Sequence, residues 1–332
     1  MIKINSNNGW DPLKSIVVGD VSGARIPPLS RSMKNFMFAN LEDYEIAERC
    51  RPWTYPTKVI DETEEDLEIL ADTLNRVSVS VYRPEKKVYG WMNYCPRDIF
   101  LVLDDVILET PPVMSIREYE SLAYRHILNK VKGRWLKAPV PEYLEESFDF
   151  SDLSRPTLME AEIMFDAPNV VRMGKTLLYQ ISNSGNFKGL KWLQQSFPDY
   201  NIHPASQYSG AHFDSTVIPL RPGLVLLNGH RCTKSNYPEI FKRWDKIFFT
   251  DIVDQKSEDS AIASSAIGLN LLSINERTVI IDKNQQPLIK ELRKYGIDSI
   301  PLQLRHAKTL GGGFHCVTLD LHRDGDLEQY DF

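Results

Sequence analysis

The chain has 332 residues, 42% of them hydrophobic and 25% charged, which is ordinary globular composition with enough length to bury a large core. A net charge of −6 and an isoelectric point near 5.7 advertise no basic surface for nucleic acid, and no apolar run approaches membrane-spanning length. The four scattered cysteines, Cys50, Cys95, Cys232 and Cys316, form no Cys-x-x-Cys pair. They argue against a disulfide framework or structural zinc and for reduced thiols in a cytoplasmic compartment.

The N-terminal MIKINSNNGW reads as neither a secretory nor an organellar signal. LKSIVVGD from Leu13 reads as a short buried strand closed by Gly19. The polar stretch through Pro27 and Pro28 to Pro56 is long for a loop and is expected to cover part of a site. EEDLEILADTLNRV from Glu64 has helical apolar spacing, and VSVSVYRP from Val77 alternates like a strand ended by Pro84.

A pattern then repeats. PRDIFLVLDDVILETP from Pro96 reads as a hairpin turning at Asp104-Asp105, REYESLAYRHILNKV from Arg117 as a helix, and RWLKAP from Arg134 as a strand. The same order returns in FDAPNVVRMGKTLLYQIS, turning near Gly174, then KGLKWLQQSF and YNIHPA. It returns in HFDSTVIPLRPGLVLLNG, turning at Arg221-Pro222-Gly223, then PEIFKRW and KIFFTDI. It returns again in GLNLLSINERTVIIDKN, then QPLIKELRKYG with Gly296 as its stop, and IDSIPLQL. A fifth unit is split. Its helix and last strand lie near the N-terminus, and its hairpin pairs the Ile16 strand with the strand after Cys316. Repeats of one unit mean an array, and a unit shared between the chain ends closes it. The expectation is a single α/β domain over residues 1–332: a five-bladed pseudosymmetric propeller of ββαβ units, its ring closed by the N- and C-terminal strands.

Four of these hairpins begin with chemically active side chains. Asp98 precedes IFLVL, Asp166 precedes APNVVRM, His212 and Asp214 precede TVIPL, and Cys316 precedes VTLDL. Equivalent positions in a ring point to the same end of its axis, so the register gathers three carboxylates, an imidazole and a thiol around one pocket. Singly, an Asp at a strand start is ordinarily a turn residue and a lone Cys is ordinarily core. The shared register selects the functional reading. Gly311, Gly312 and Gly313, just before Cys316, give a backbone that another group can approach closely. Acids crowded in an apolar pocket repel unless a cation joins them, and a planar guanidinium fits best. Its central carbon then faces Cys316, whose pKa the acids raise and the arriving cation lowers. His212 can protonate a departing amine and deprotonate an incoming one, with Asp166 orienting it.

The blocks YCPRDIFLV, MFDAPNVVR, AHFDSTVIPLRPGLVL and LGGGFHC resemble those of the arginine amidinotransferases of the pentein superfamily. The resemblance runs from NGWDPLKSIVVG at Asn8 to HRDG near the C-terminus. It implies a propeller with neither metal nor organic cofactor, and a ping-pong transfer from L-arginine to a primary amine that releases L-ornithine. It implies Cys316 as nucleophile, His212 as acid and base, Asp166 as its partner, and Asp98 and Asp214 as guanidinium holders. It also implies Arg231 at the substrate α-carboxylate and Ser264 and Ser265 at the amino-acid end. The partners implied are small molecules, not nucleic acid or membrane, and the resemblance allows a homodimer. The chain departs from the family after the nucleophile, where Thr318-Leu319-Asp320 with His322-Arg323 replaces a Thr-Cys-Asp run and paired arginines. Before His212 the glycine-using member carries Asn-Pro-Met; here the wall is Ser209, Gly210 and Ala211. A roomier wall implies that glycine is a poor acceptor and that a longer amine, a precursor in toxin or antibiotic biosynthesis, is the natural one. The rivals on the same machinery are an arginine deiminase-type hydrolase and a glycine amidinotransferase making guanidinoacetate.

Overall fold

The computed structural model describes residues 1–330 apart from 41, 43, 44, 46–53 and 256–261, so Cys50 lies outside the described residues. Fifteen of the described strands form five three-stranded sheets built alike. In each, a first strand pairs antiparallel with a middle strand, and the middle strand pairs parallel with an outer one. One sheet is Phe100–Leu103, Val106–Glu109 and Arg134–Lys137. The next is Val170–Met173, Thr176–Gln180 and Asn201–Ala205. Then come Val217–Arg221, Leu224–Asn228 and Asp245–Phe249, followed by Leu272–Asn275, Thr278–Asp282 and Asp298–Leu302. The fifth sheet joins the chain ends: Thr318–Arg323 lies antiparallel to Leu13–Val18, with Asp320 opposite Ile16, and Leu13–Val18 lies parallel to Ser80–Tyr82.

The middle strands read as near-continuous apolar runs because both of their faces are covered, as the burial of every residue in Val106–Glu109 and Leu224–Asn228 shows. A parallel pair needs a crossover, and in three sheets this is a helix. Thr57–Arg76 begins seven residues before the predicted Glu64 and buries Val59, Leu67, Leu70, Ala71 and Leu74 along one face. Each leucine there contributes about 1.5–3 kcal/mol of burial. Phe187–Ser196 starts at Asn186, whose side chain accepts a 2.9 Å bond from the Gly189 N–H. Gln286–Lys294 stops just before Gly296, which takes φ +70°.

The other two crossovers differ from expectation. The Arg117 segment is two 3-10 turns, Ser115–Arg117 and Glu120–Tyr124, followed by the short helix Arg125–Leu128. Its Arg117 side chain is drawn inward to Asp98, Glu120 and the Cys95 carbonyl. PEIFKRW is a 3-10 turn, Glu239–Phe241, with Phe241 and Trp244 both buried and their rings 5.3 Å apart. A three-residue repeat suits that tighter winding. The long N-terminal loop contains a helix not expected from the sequence, Arg31–Met37, capped by Ser30 Oγ accepting from the Met33 N–H at 3.2 Å. The core beneath the fifth sheet includes Tyr94, Cys95, Ile267, Leu310, Phe314 and Cys316, so the predicted nucleophile stands on the largest apolar cluster.

Candidate active site

Each first strand is entered through a tight turn, and the turns carry the polar side chains. Asp98 ends the 3-10 turn Pro96–Asp98, and Asp166 caps the turn Ala167–Asn169. His212 and Asp214 enter Val217–Arg221; Ser265–Leu269 leads through Asn270 into Leu272–Asn275. The glycines close the last turn. Gly311, at φ +78°, ends the helical turn Ala307–Leu310. A Cβ on Gly312 would lie 2.6 Å from Cys95 Sγ, and one on Gly313 would lie 2.7 Å from Asn270 Cβ. Side chains at either position would push the Cys316 turn off its seat. Asn270 Oδ1 fixes that turn by accepting the N–H groups of His315 and Cys316, each at 3.0 Å.

These turns meet at a cleft of about 160 Å³ lined by Cys316, His212, Asp214, Arg231 and Ser264, with Phe36 and Met37 of the N-terminal helix over it. His212 Nε2 is 3.0 Å from Asp166 Oδ2, and Asp166 Oδ1 accepts the Val113 N–H at 3.0 Å. The other ring nitrogen, Nδ1, is 3.7 Å from Asp98 Oδ1, while the Phe36 ring packs edge-on at 5.0 Å. Cys316 Sγ donates to Asp214 Oδ2 at 3.3 Å, and the same oxygen is 2.7 Å from His315 Nδ1. Asp98 Oδ2 is bound by Arg117. The remaining oxygens, Asp98 Oδ1 and Asp214 Oδ1, are buried without a hydrogen-bond partner among the described residues. A buried charged acceptor left open costs several kcal/mol, so Asp214 at the cleft wall and Asp98 beside His212 mark a place for an incoming donor.

The charges are tuned to match. Burial would lower the His212 pKa, but the Asp98 charge and the Asp166 hydrogen bond outweigh it and raise it to about 9. His212 is therefore cationic near neutrality. Burial, then the charges of Asp214 and Asp98, push the Cys316 thiol well above its usual value. Burial opposes ionisation of Asp214, yet the hydrogen bond from His315 and nearby positive charge hold it below the usual carboxylate range. Burial and the Arg97 charge keep His315 below the usual imidazole value, consistent with a neutral Nδ1–H donor. Arg231 donates to Thr216 Oγ1 at 2.7 Å and to Ser264 Oγ at 3.3 Å, with no carboxylate in salt-bridge range among the described residues.

No family model matches the chain. Sequence comparison finds inosamine-phosphate amidinotransferase 1 of Streptomyces glaucescens, 39% identical over 100% of both chains. The chain belongs to the amidinotransferase family. The L-arginine:L-lysine amidinotransferase of Pseudomonas savastanoi pv. phaseolicola is 32% identical over 97% of this chain and 94% of its own. The solved inosamine-phosphate amidinotransferase of Streptomyces griseus superimposes with a TM-score of 0.95 at 40% identity, covering 99% of each chain, and it shares the α/β fold of the pentein superfamily.

In this amidinotransferase most of the predicted residues come together, but not all. Cys316, His212, Asp214, Arg231, Ser264, Ser209 and Ala211 line the cleft. Asp166 and Asp98 stand behind His212. Ser265 opens the 3-10 turn Ser265–Leu269 and is not part of the lining. Gly210 faces open space, since a Cβ there would meet nothing within 4 Å. Its neighbours are pinned by Gln180: Oε1 accepts the N–H groups of Tyr208 and Ser209 at 3.0 and 2.9 Å, and Nε2 donates to the Ala211 carbonyl at 2.7 Å. Sequence reasoning does not single out Asn270 or Gln180, and it gives His315 no role in this cleft. Asn270 occupies the strand-entry position of the fourth repeat, so the register that marks Asp98, Asp166 and Cys316 is the signal that could have found it.

Proposed function

We propose that this amidinotransferase moves the amidino group of L-arginine through Cys316 to a primary amine. The observation that carries this reading is the pair of buried oxygens without a partner among the described residues: Asp214 Oδ1 in the cleft that also holds the Cys316 thiol, and Asp98 Oδ1 beside His212. A guanidinium is the cation whose forked N–H groups answer two carboxylates at once. Arg231, near Ser264, receives the α-carboxylate, and Ser265 is left outside this set. Arginine brings a positive charge beside Asp98 and Asp214, relieving the repulsion that keeps the thiol protonated, so the thiol proton passes to solvent water as substrate arrives. The thiolate attacks the guanidino carbon. Cationic His212 gives its proton to the side-chain nitrogen as the C–N bond breaks, and ornithine departs, leaving an amidino-thioether on Cys316. The acceptor amine then attacks the same carbon, His212 takes its proton, and the thiolate is expelled. Asp166 orients His212 throughout.

The five sheets are read as the blades of one ring over a single domain. Support comes from a second cavity lined by residues of the first strands of all five: Leu101, Val170–Arg172, Val217–Pro219, Ser273 and Arg323. One cavity touching every first strand is what an axis gives. The acceptor is read as a primary amine longer than glycine, in secondary metabolism, because Ser209 and Ala211 offer little volume beside His212. The unpaired, buried Cys95, Cys232 and Cys316 support a reducing, cytoplasmic compartment. The test is product analysis with arginine and an acceptor. Ornithine with a new guanidino compound supports transfer; citrulline with ammonia would replace it by hydrolysis.

A further inference from the structure

Asp320 lies at the heart of the molecule with three guanidinium groups on it. Arg97 and Arg172 bond Oδ1 at 2.5 and 3.0 Å, and Arg172 and Arg323 bond Oδ2 at 2.8 and 2.7 Å. All four residues are buried, so this cluster holds two more positive charges than negative ones. Backbone carbonyls satisfy some of the N–H groups but bring no charge: Arg323 reaches those of Asp11 and Ser273, and Arg172 that of Val102. The shortage is felt at Arg172, whose pKa is lowered by burial despite the Asp320 charge, with Arg97 and Arg323 adding to the effect.

The axial cavity, about 60 Å³, lies against this cluster, lined by Arg97, Arg172, Arg323, His315, Asp214 and Ser273 among others. That is room for a few water-sized particles. One donor and one proton-accepting nitrogen remain open there. Arg97 uses Nε on the Thr318 carbonyl and Nη2 on Asp320, leaving Nη1 without a protein acceptor among the described residues. His315 commits Nδ1 to Asp214 and keeps Nε2 free of protein partners among the described residues, with its side chain 27% exposed. His315 and Asp214 therefore form a wall between the axial cavity on one side and the Cys316 thiol on the other.

We propose that the axial cavity binds a small monovalent inorganic anion of the chloride class, held by Arg97 and, once its Nε2 takes a proton, by His315, and that its occupancy is felt at Cys316 through Asp214. An anion there offsets arginine charge that Asp320 and, in the same cavity, Asp214 answer only in part. The charged groups around His315 are Arg97, Asp214 and Asp320, with Arg172 and Arg323 lining the same cavity. The anion screens Arg97, so His315 takes a proton at Nε2 from cavity water and becomes imidazolium. An imidazolium beside Asp214 cancels part of the charge that holds the thiol protonated, and Cys316 ionises at lower pH. The effect on the thiol rests on reading Cys316 as the nucleophile; the anion site does not.

Crystals soaked in sodium bromide should show an anomalous peak in the axial cavity in contact with Arg97 and His315. The rate of Cys316 alkylation by iodoacetamide, followed against pH without substrate, should have its midpoint lowered by about half a unit or more in chloride relative to gluconate at equal ionic strength. Gluconate is too large for the cavity. His315→Asn keeps an N–H for Asp214 but cannot take a proton, so it should lose the chloride shift while Arg97 still holds a weakened bromide peak. Arg97→Lys keeps a charge near Asp320 but loses the forked donors, and should weaken the peak. Absence of bromide from the cavity in the unmutated protein would overturn the site. A bromide peak with no chloride shift would overturn the coupling, as would a shift that survives in His315→Asn.

Discussion

Two groups of buried acids lie in the middle of this molecule, and they are finished differently. Asp320 accepts from Arg97, Arg172, Arg323 and Ser6, so both of its oxygens are answered by the chain itself. Asp98 and Asp214 each have one oxygen answered, by Arg117 and by His315, and one left open. Burial is similar in both places, so burial alone does not separate structure from function. The difference is completeness: a carboxylate closed by its own chain holds the fold, and one left half open awaits a partner from solution.

The comparison breaks first at Asp320. Asp320→Asn leaves three buried guanidinium groups without a counter-charge and should cost about 3–5 kcal/mol of stability in denaturant unfolding. A loss under about 1 kcal/mol would mean the cluster is not structural. Asp214→Asn is the opposite case. It should fold, lose less stability than Asp320→Asn, and lower kcat/KM for arginine by roughly 10²–10³-fold, the usual cost of deleting one preorganised electrostatic contact. Asp98→Asn should follow it. If these variants unfold while arginine use per folded molecule stays normal, the half-open acids are structural after all.

His212 links the half-open acids to pH. Its pKa in the folded protein, about 9, is above the unfolded value of 6.5, so the native state binds the extra proton between the two. The stability this gives is fully present below pH 6.5 and is lost as pH rises through about 9. The stability difference between the unmutated protein and His212→Gln should therefore shrink over that window in pH-dependent thermal melts. A difference that grows with pH would place His212 neutral in the cleft. The smallest effect is expected in the acceptor half-reaction. Longer primary amines should exceed glycine in kcat/KM, and Ala211→Met should narrow that gap by roughly the 10–200-fold typical of a few methylene-sized contacts. Glycine matching every longer amine in the unmutated enzyme would contradict the roomy wall.

Much of this architecture is legible in the repeat itself. The strand-pairing order of all five sheets, including the joining of the Ile16 strand to the strand after Cys316, follows from apolar periodicity and turn residues. The register of hairpin starts brings Asp98, Asp166, His212, Asp214 and Cys316 together. What stays hidden depends on long-range partners. The Arg117 segment has helical spacing, but ion pairing to Asp98 and Glu120 draws it into 3-10 turns. Helix Arg31–Met37 sits in a polar stretch without apolar periodicity, and it packs Phe36 on His212. Asn270 stands at a strand entry that the register marks, but its hold on the His315 and Cys316 N–H groups, and the side-chain bond from His315 to Asp214, depend on partners far along the chain. The closed state of Asp320 is equally invisible in the sequence, since its three arginines come from positions 97, 172 and 323.

The most direct test is to trap the first half-reaction. The protein is mixed with arginine and no acceptor, quenched in acid and digested, and its peptides are weighed alongside the released ornithine. The account predicts one amidino group on the peptide containing Cys316, in proportion to ornithine released, and none in Cys316→Ala. Ornithine formed without that adduct, or an adduct on Cys95 or Cys232 instead, would contradict it.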